Sequence, residues 1–459
     1  MNFCLLSIQR TVLALPYLSV ILSLVAIFTH VAHARPQLPI VPNLSGFGTT
    51  TVAGSGRHLR IPKTQIFAVT NLLDRGSGSL RACAEADGPR TCIFFVGGVI
   101  PLTREIRITA PYITIAGQTA PNPGVTLTNA GIKVATHDVL IQHLAIRPGD
   151  NPSGASPRER DAMSIGAKPP QAAYNVVIDH VSMTWAIDEN FSTAYPLTRD
   201  VTVAHSIIAE GLHDSIHPKG PHSKGVMIGD DSKRISIKES LIAFNEERNP
   251  YLKPGTSVEF VNNVVYGWGP NGGWSLCNLT NNTDRDEPIL LSFVGNVYRP
   301  SPSSALVAPL YAKKLDPRSI IYARDIIGPT PSSGLSELRI PTLSGNITAA
   351  TTPPLISART NPFPAEQVLP RILTSAGARP KNRDPHDSRI VREVNNSQGT
   401  IKDCTRGCPL STGTVDGTKR AYRALRLPRR PGKDKNKDGY TNLENWLHKM
   451  ARGVEEGGR

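Results

Sequence analysis

Apolar and polar residues alternate in short runs through the middle of this chain, and the runs repeat. Ile141-Gln-His143-Leu-Ala-Ile aligns with Ile178-Asp-His180-Val-Ser-Met and Val203-Ala-His205-Ser-Ile-Ile. The series continues as Ile237-Lys-Glu239-Ser-Leu-Ile, Phe260-Val-Asn262-Asn-Val-Val and Phe293-Val-Gly295-Asn-Val-Tyr. Each copy has a further apolar residue two places earlier: Val139, Val176, Val201, Ile235, Val258 and Leu291. A period of two over runs of this length means strand. The copies stand 23 to 37 residues apart, the range of repeats that stack as solenoids. No helical period separates them, which argues against a β/α alternation. The expected fold class is all-β, a parallel β-helix with a core of stacked Val, Ile and Leu.

A second kind of segment precedes each of four copies. These are Asp161-Ala-Met-Ser-Ile-Gly-Ala, Asp188-Glu-Asn-Phe-Ser-Thr-Ala, Lys224-Gly-Val-Met-Ile-Gly-Asp and Arg248-Asn-Pro-Tyr-Leu-Lys253. If one strand of each kind makes up a coil, acids on early coils share a face with bases on later ones. Such a face suits a metal and a polyanion together. The column His143, His180, His205 is expected to be scaffold, polar residues stacked at a coil corner, with Asn262, Asn263 and Asn296 serving likewise.

Flanking composition divides the chain. Residues 1–34 read as a secretory signal: Arg10, an apolar run from Leu13 to Phe28, and the small-residue site Ala32-His33-Ala34. Residues 35–64 look irregular and 65–300 form the β-helix, with Ser79 to Glu85 as a short helix capping its open end. Residues 301–370, rich in Pro, Ser and Thr, are expected to wrap or cap the helix. Residues 371–459 form a basic extension. Within it Asp434-Lys-Asn436-Lys-Asp438-Gly439 has the oxygen ligands of a calcium loop, but Glu444 falls one place early for the twelfth position.

A secreted address changes how the cysteines are read. Cys83 pairs with Cys92 and Cys404 with Cys408, leaving Cys277 over and Cys4 in the signal. Sequons begin at Asn43, Asn190, Asn278, Asn281, Asn346 and Asn395, and a glycan on Asn190 would crowd the acidic strand. The net charge of +14 over 459 residues favours a polyanionic partner. Aromatics are 6% and do not interleave with basic residues, which disfavours single-stranded nucleic acid. No segment after the signal is apolar enough to span a bilayer, and a monomer is expected.

On the segments Asp161, Val177-Ile-Asp179-His180, Lys224-Gly-Val-Met-Ile-Gly229 and Arg248-Asn-Pro-Tyr-Leu-Lys253, the chain resembles the pectate lyase family, polysaccharide lyase family 1. The match runs from about Gln65 to Pro300, with later echoes in Arg383-Asp-Pro-His-Asp-Ser-Arg389 and Asp438-Gly-Tyr-Thr-Asn-Leu-Glu444. The resemblance implies a right-handed β-helix and calcium-assisted β-elimination on pectate, an acidic polysaccharide. It places calcium on Asp161 and Asp188, with Glu189 as an adjacent candidate. A third acid of the family falls at Ser192. Lys224 corresponds to a lysine that binds the substrate carboxylate and Arg248 to the arginine that acts as base. Lys253 replaces a second arginine, keeping the charge and losing the bidentate fork. Two alternatives stand beside this: a polygalacturonase-type hydrolase using Asp230-Asp231, and a β-helix that only binds acidic glycans.

Overall fold

The computed structural model describes residues 38–152, 154–229, 231–270, 277–280, 287–313, 315–330, 334–338, 350–402 and 421–455. Of the sequons, Asn190 and Asn278 fall within that set and Asn281 and Asn346 outside it; the expected signal at 1–34 and the expected Cys404–Cys408 pairing also lie outside the described residues. The chain is a parallel β-helix of three sheets, of ten, eight and eleven strands among the described residues. From Arg90–Phe94 to Leu310–Lys313 each coil crosses all three.

The apolar ladder seen in the sequence is the wall of the ten-stranded sheet. Val139, Val176, Val201, Ile235, Val258 and Leu291 pair in register, coil on coil. Alternate residues from these strands point inward, where Ile178, Val203, Ile237, Phe260 and Phe293 join one continuous core. Phe260 and Phe293 stack with ring centroids 5.5 Å apart.

Each aligned run proves to be two strands rather than one. His143, His180, His205, Glu239, Asn262 and Gly295 all have positive φ, between 48° and 64°. A left-handed residue turns the chain sharply out of one sheet and into the next. After that corner come the short strands of the eleven-stranded sheet: Ala145–Arg147, Ser182–Thr184, Ile207–Ala209, Leu241–Ala243, Val264–Tyr266 and Val297–Arg299. The expected two strands per coil are therefore three, because period-two alternation does not register a one-residue bend. Buried serines and asparagines line the corner: Ser206 Oγ accepts from Val181, Ser240 Oγ from Ser206, and Asn263 Oδ1 from Ser240.

Coils continue beyond residue 300, through Leu310–Lys313, Ile320–Arg324 and Ile326–Thr330. The open first coil carries the helix Leu80–Ala84, capped by Ser79 Oγ accepting from Ala82 N–H at 3.2 Å, and Cys83 is joined to Cys92.

The remaining segments cover two of the three sheets. Ile40, Leu44 and Ala53 pack on Leu140, Val177 and Ala204 outside the ten-stranded sheet. Residues 355–363 run along the same sheet, with Ser357 N–H on Glu259 at 2.7 Å and Asn262 Nδ2 on the Phe363 carbonyl at 2.8 Å. Helices Val368–Ser375 and Pro385–Asn395 pack their apolar faces against Ile207, Leu241, Val264 and Val297 of the eleven-stranded sheet. Arg383–Arg389 is the clasp there: buried Arg147 pairs with Asp384 at 2.7 Å and Asp387 at 2.8 Å, and Arg389 forks onto buried Glu210 at 2.7 and 2.8 Å. Helix Asn442–Glu455 sets Leu443 and Leu447 on Ile93 and Ala116.

The calcium-loop candidate leads into this last helix, and Glu444 is committed elsewhere. It accepts from Thr441 N–H at 2.8 Å while Thr441 Oγ1 accepts from Glu444 N–H at 3.2 Å, a reciprocal capping box. Asp434 and Asp438 accept instead from Gly439 and Tyr440 N–H.

Candidate active site

The eight-stranded sheet presents the charged residues. Its strands Met163–Ile165, Glu189–Thr193, Lys224–Ile228 and Tyr251–Leu252 lie side by side in parallel. Asp161 stands two residues before the first, Asp188 one before the second, Lys224 opens the third, and Arg248 stands three residues before the fourth. Stacking thus brings together, at the entrance of four adjacent strands, residues up to 87 positions apart in sequence.

Asp161, Asp188 and Glu189 each offer a carboxylate oxygen within 4.8 Å of the others. Asp161 Oδ2 accepts from Ser192 Oγ at 3.0 Å and its Oδ1 from Glu189 N–H at 3.3 Å. Burial, then the Asp188 charge, push the Asp161 carboxyl up to about 7. A cluster of three hard oxygen donors crowded to this degree fits a cation such as calcium, which binds carboxylates at about 2.3–2.6 Å. Ser192, standing at the missing third acid, serves as a hydrogen-bond donor that orients Asp161.

Arg248 closes on Glu189 in a direct ion pair. Its Nη1 is 3.5 Å from Met227 Sδ, and its guanidinium lies 5.7 Å from the Tyr251 ring centre. Burial lowers its pKa from the ordinary arginine range, against the opposing pull of Asp188, Tyr251 and Asp161. The backbone at Arg248 has φ 64°, a left-handed position that a β-carbon disfavours. It is held there by its carbonyl, which accepts from Val226 N–H at 2.6 Å, and by Asn249 Nδ2 donating to the Asn245 carbonyl. Gly225 permits this approach, since a β-carbon at that position would meet the Arg248 carbonyl oxygen at 2.7 Å.

Lys224 pairs with Glu247 at 2.5 Å and neighbours Glu189 in register. Lys253 follows the strand Tyr251–Leu252, partly buried, its N–H on the Ile228 carbonyl at 3.0 Å.

Several residues at the site escaped the sequence pattern. His217 and His222 lie in the long loop after Ile207–Ala209, rings tilted by 36° with centroids 3.7 Å apart, and with Nε2 atoms 3.7 and 3.6 Å from the Asp188 carboxylate. Three histidines within ten residues, His213, His217 and His222, were the available signal. Glu247, partner of Lys224, gave none. Register also aligns Arg107, Lys133, Ser164, Ser192, Met227 and Tyr251 in one column across the sheet. This column begins with two basic residues and passes beside the acid cluster at Ser192, which donates to Asp161. The Asn190 side chain is buried, its Nδ2 donating to the Ala209 carbonyl at 3.1 Å and Asn245 Oδ1 at 2.9 Å. Asn43 and Asn395 are exposed.

Curated proteins named "Probable pectate lyase C" are similar to this chain. The protein of Neosartorya fischeri is 34% identical over 278 residues, 60% of this chain and 58% of its own length. That of Aspergillus oryzae is 35% identical over 243 residues, 53% of this chain and 51% of its own. The chain is similar to proteins named probable pectate lyases. It spans a little over half the length of these pectate lyase relatives. Solved structures that superpose include the major cedar pollen allergen, at 17% identity and TM-score 0.47 over 72% of this chain and 91% of the allergen. A Bacillus subtilis pectate lyase mutant superposes at 11% identity and TM-score 0.48, over 74% and 98%. No family model matches the sequence.

Proposed function

We propose that this chain is a secreted pectate lyase that cleaves de-esterified polygalacturonate by calcium-assisted β-elimination, with Arg248 as the base. The observation that carries this is the meeting of Arg248, Lys224 and the carboxylates Asp161, Asp188 and Glu189 on four adjacent strands. The similarity to curated relatives named probable pectate lyases supports it.

The reaction takes the proton alpha to a uronate carboxylate and expels the glycosidic oxygen on the adjacent carbon. That proton is poorly acidic while the neighbouring carboxylate bears its full charge. A calcium ion held by Asp161, Asp188 and Glu189 would draw off that charge and stabilise the carbanion-like transition state. Lys224 exchanges Glu247 for the substrate carboxylate, and Lys253 adds positive charge further along the sheet. Once Glu189 no longer holds it, Arg248 releases a proton to solvent, and the neutral guanidine then accepts the proton from the sugar carbon. Burial favours the neutral form it must reach, and the Glu189 pair opposes it.

The test is near-ultraviolet absorbance during incubation with polygalacturonate, with and without a calcium chelator. Elimination creates an absorbing double bond, which chelation suppresses. Reducing ends without absorbance would mark a hydrolase, and binding without cleavage a glycan-binding β-helix.

A further inference from the structure

The histidine column at the coil corner acquires a partner from the far end of the chain. Helix Asn442–Glu455 ends with Glu455 Oε1 3.1 Å from His143 Nε2 and 3.7 Å from His180 Nδ1. Asp179 Oδ1 lies 3.1 Å from the same His180 nitrogen. One atom from each of the four residues falls within 4.8 Å of all the others.

The tautomer of His143 is set by its surroundings. Its Nδ1 donates to the Ala378 carbonyl at 2.8 Å, which leaves the Nε2 lone pair facing Glu455. The ring is fully buried, and Nε2 makes no aligned hydrogen bond although the carboxylate oxygen is close. In the neutral ring, two acceptors then face one another. A cation between them, off the line of centres, satisfies both. The outer contacts are also in place: Asp179 Oδ2 accepts from Gln142 Nε2 at 2.8 Å, and its Oδ1 also contacts His205 Nδ1 at 2.8 Å. A tetrahedral ion with bonds of about 2.0–2.2 Å keeps its ligand atoms about 3.3–3.6 Å apart, close to the 3.1, 3.1 and 3.7 Å found here.

We propose that His143, His180, Asp179 and Glu455 bind one divalent transition ion of the zinc class, which ties the C-terminal helix to the coil corner. Two imidazoles and two carboxylates suit such an ion, whereas calcium takes all-oxygen sets. His205 stays outside the ligand set, its other nitrogen 3.4 Å from Glu239. The site is separate from the proposed active site, shares no residue with it, and does not depend on the lyase reading.

Cobalt(II) is the probe, because tetrahedral coordination gives it a visible absorption band. The full chain is stripped with chelator and titrated. One equivalent should saturate the band, and zinc should bleach it. Glu455→Gln and His143→Gln should each weaken binding about tenfold or more, with circular dichroism confirming the fold. Asp188→Asn, which alters both other groups of potential metal ligands, should leave the band intact. Three outcomes would overturn the proposal: no saturable band, unchanged affinity in both ligand variants, or loss of the band in Asp188→Asn alone.

Discussion

Glu189 and Arg248, two coils apart in the stack, form a direct ion pair at the centre of the charged face. Glu189 consequently has two competing roles, as partner of the guanidinium and as a member of the carboxylate cluster. While it holds Arg248, the arginine keeps its proton. Under the proposed mechanism, a cation that drew Glu189 away would remove this direct partner and leave Arg248 with burial favouring its neutral form, opposed by Asp188 and Asp161.

Arg248→Lys should lower turnover about 100- to 10,000-fold, the span typical for loss of a positioned base. Calcium-dependent retention of polygalacturonate should persist. Comparing initial absorbance rates with binding of the same variant checks both, and full activity in the variant would remove Arg248 from the base role.

Asp161→Asn and Asp188→Asn should each weaken calcium binding in isothermal titration and raise the calcium concentration needed for activity. Ser192→Asp should act in the opposite direction, because it adds a carboxylate beside Asp161 Oδ2, which Ser192 now touches at 3.0 Å. Unchanged calcium binding in both asparagine variants would show that the ion sits elsewhere.

Lys133 lies two coils from Ser192 along the in-register column, about 10 Å at the usual strand spacing. Lys133→Ala should raise KM for long polygalacturonate by up to about fivefold, the worth of one exposed ion pair. Short oligomers that do not reach it should be unaffected. A uniform loss across chain lengths would count against a subsite there.

His386 fastens the C-terminal clasp, its Nε2 3.3 Å from Thr184 Oγ1 and its ring edge-on to Trp185. Burial, then Arg147, Arg389 and Lys402, hold its pKa well below the ordinary value. An unfolded chain takes up a proton near pH 6.5 that the folded state refuses. The stabilisation is present above that pH and is lost as the pH falls below it. Melting temperatures measured from pH 8 to pH 5 should therefore drop more steeply for the native chain than for His386→Gln.

Phe260→Ala should cost about 3–5 kcal/mol, since it removes a buried ring from the stack with Phe293. Chemical denaturation reads this directly, and a loss under 1 kcal/mol would indicate that neighbouring coils collapse into the space.

The wall of the ten-stranded sheet was legible in the sequence because a parallel stack buries the same positions coil after coil. That repetition writes Val139 to Leu291 as an aligned column. The charged residues Asp161, Asp188, Lys224 and Arg248 stood out for the same reason, each lying at or shortly before the start of its strand. The three-sided coil was not, because a single left-handed residue such as His180 leaves the apolar alternation unbroken while turning the chain. Pairings between unlike elements left no periodic trace either. Glu247 on Lys224, His217 and His222 around Asp188, and Glu455 against His143 depend on loop paths and on where a terminal helix comes to rest. The sequence by itself determined the repeat, its core and the charge on one face. Only the tertiary structure decided which charges meet, because coiling converts register into distance while loops and helices dock through contacts that no local pattern records.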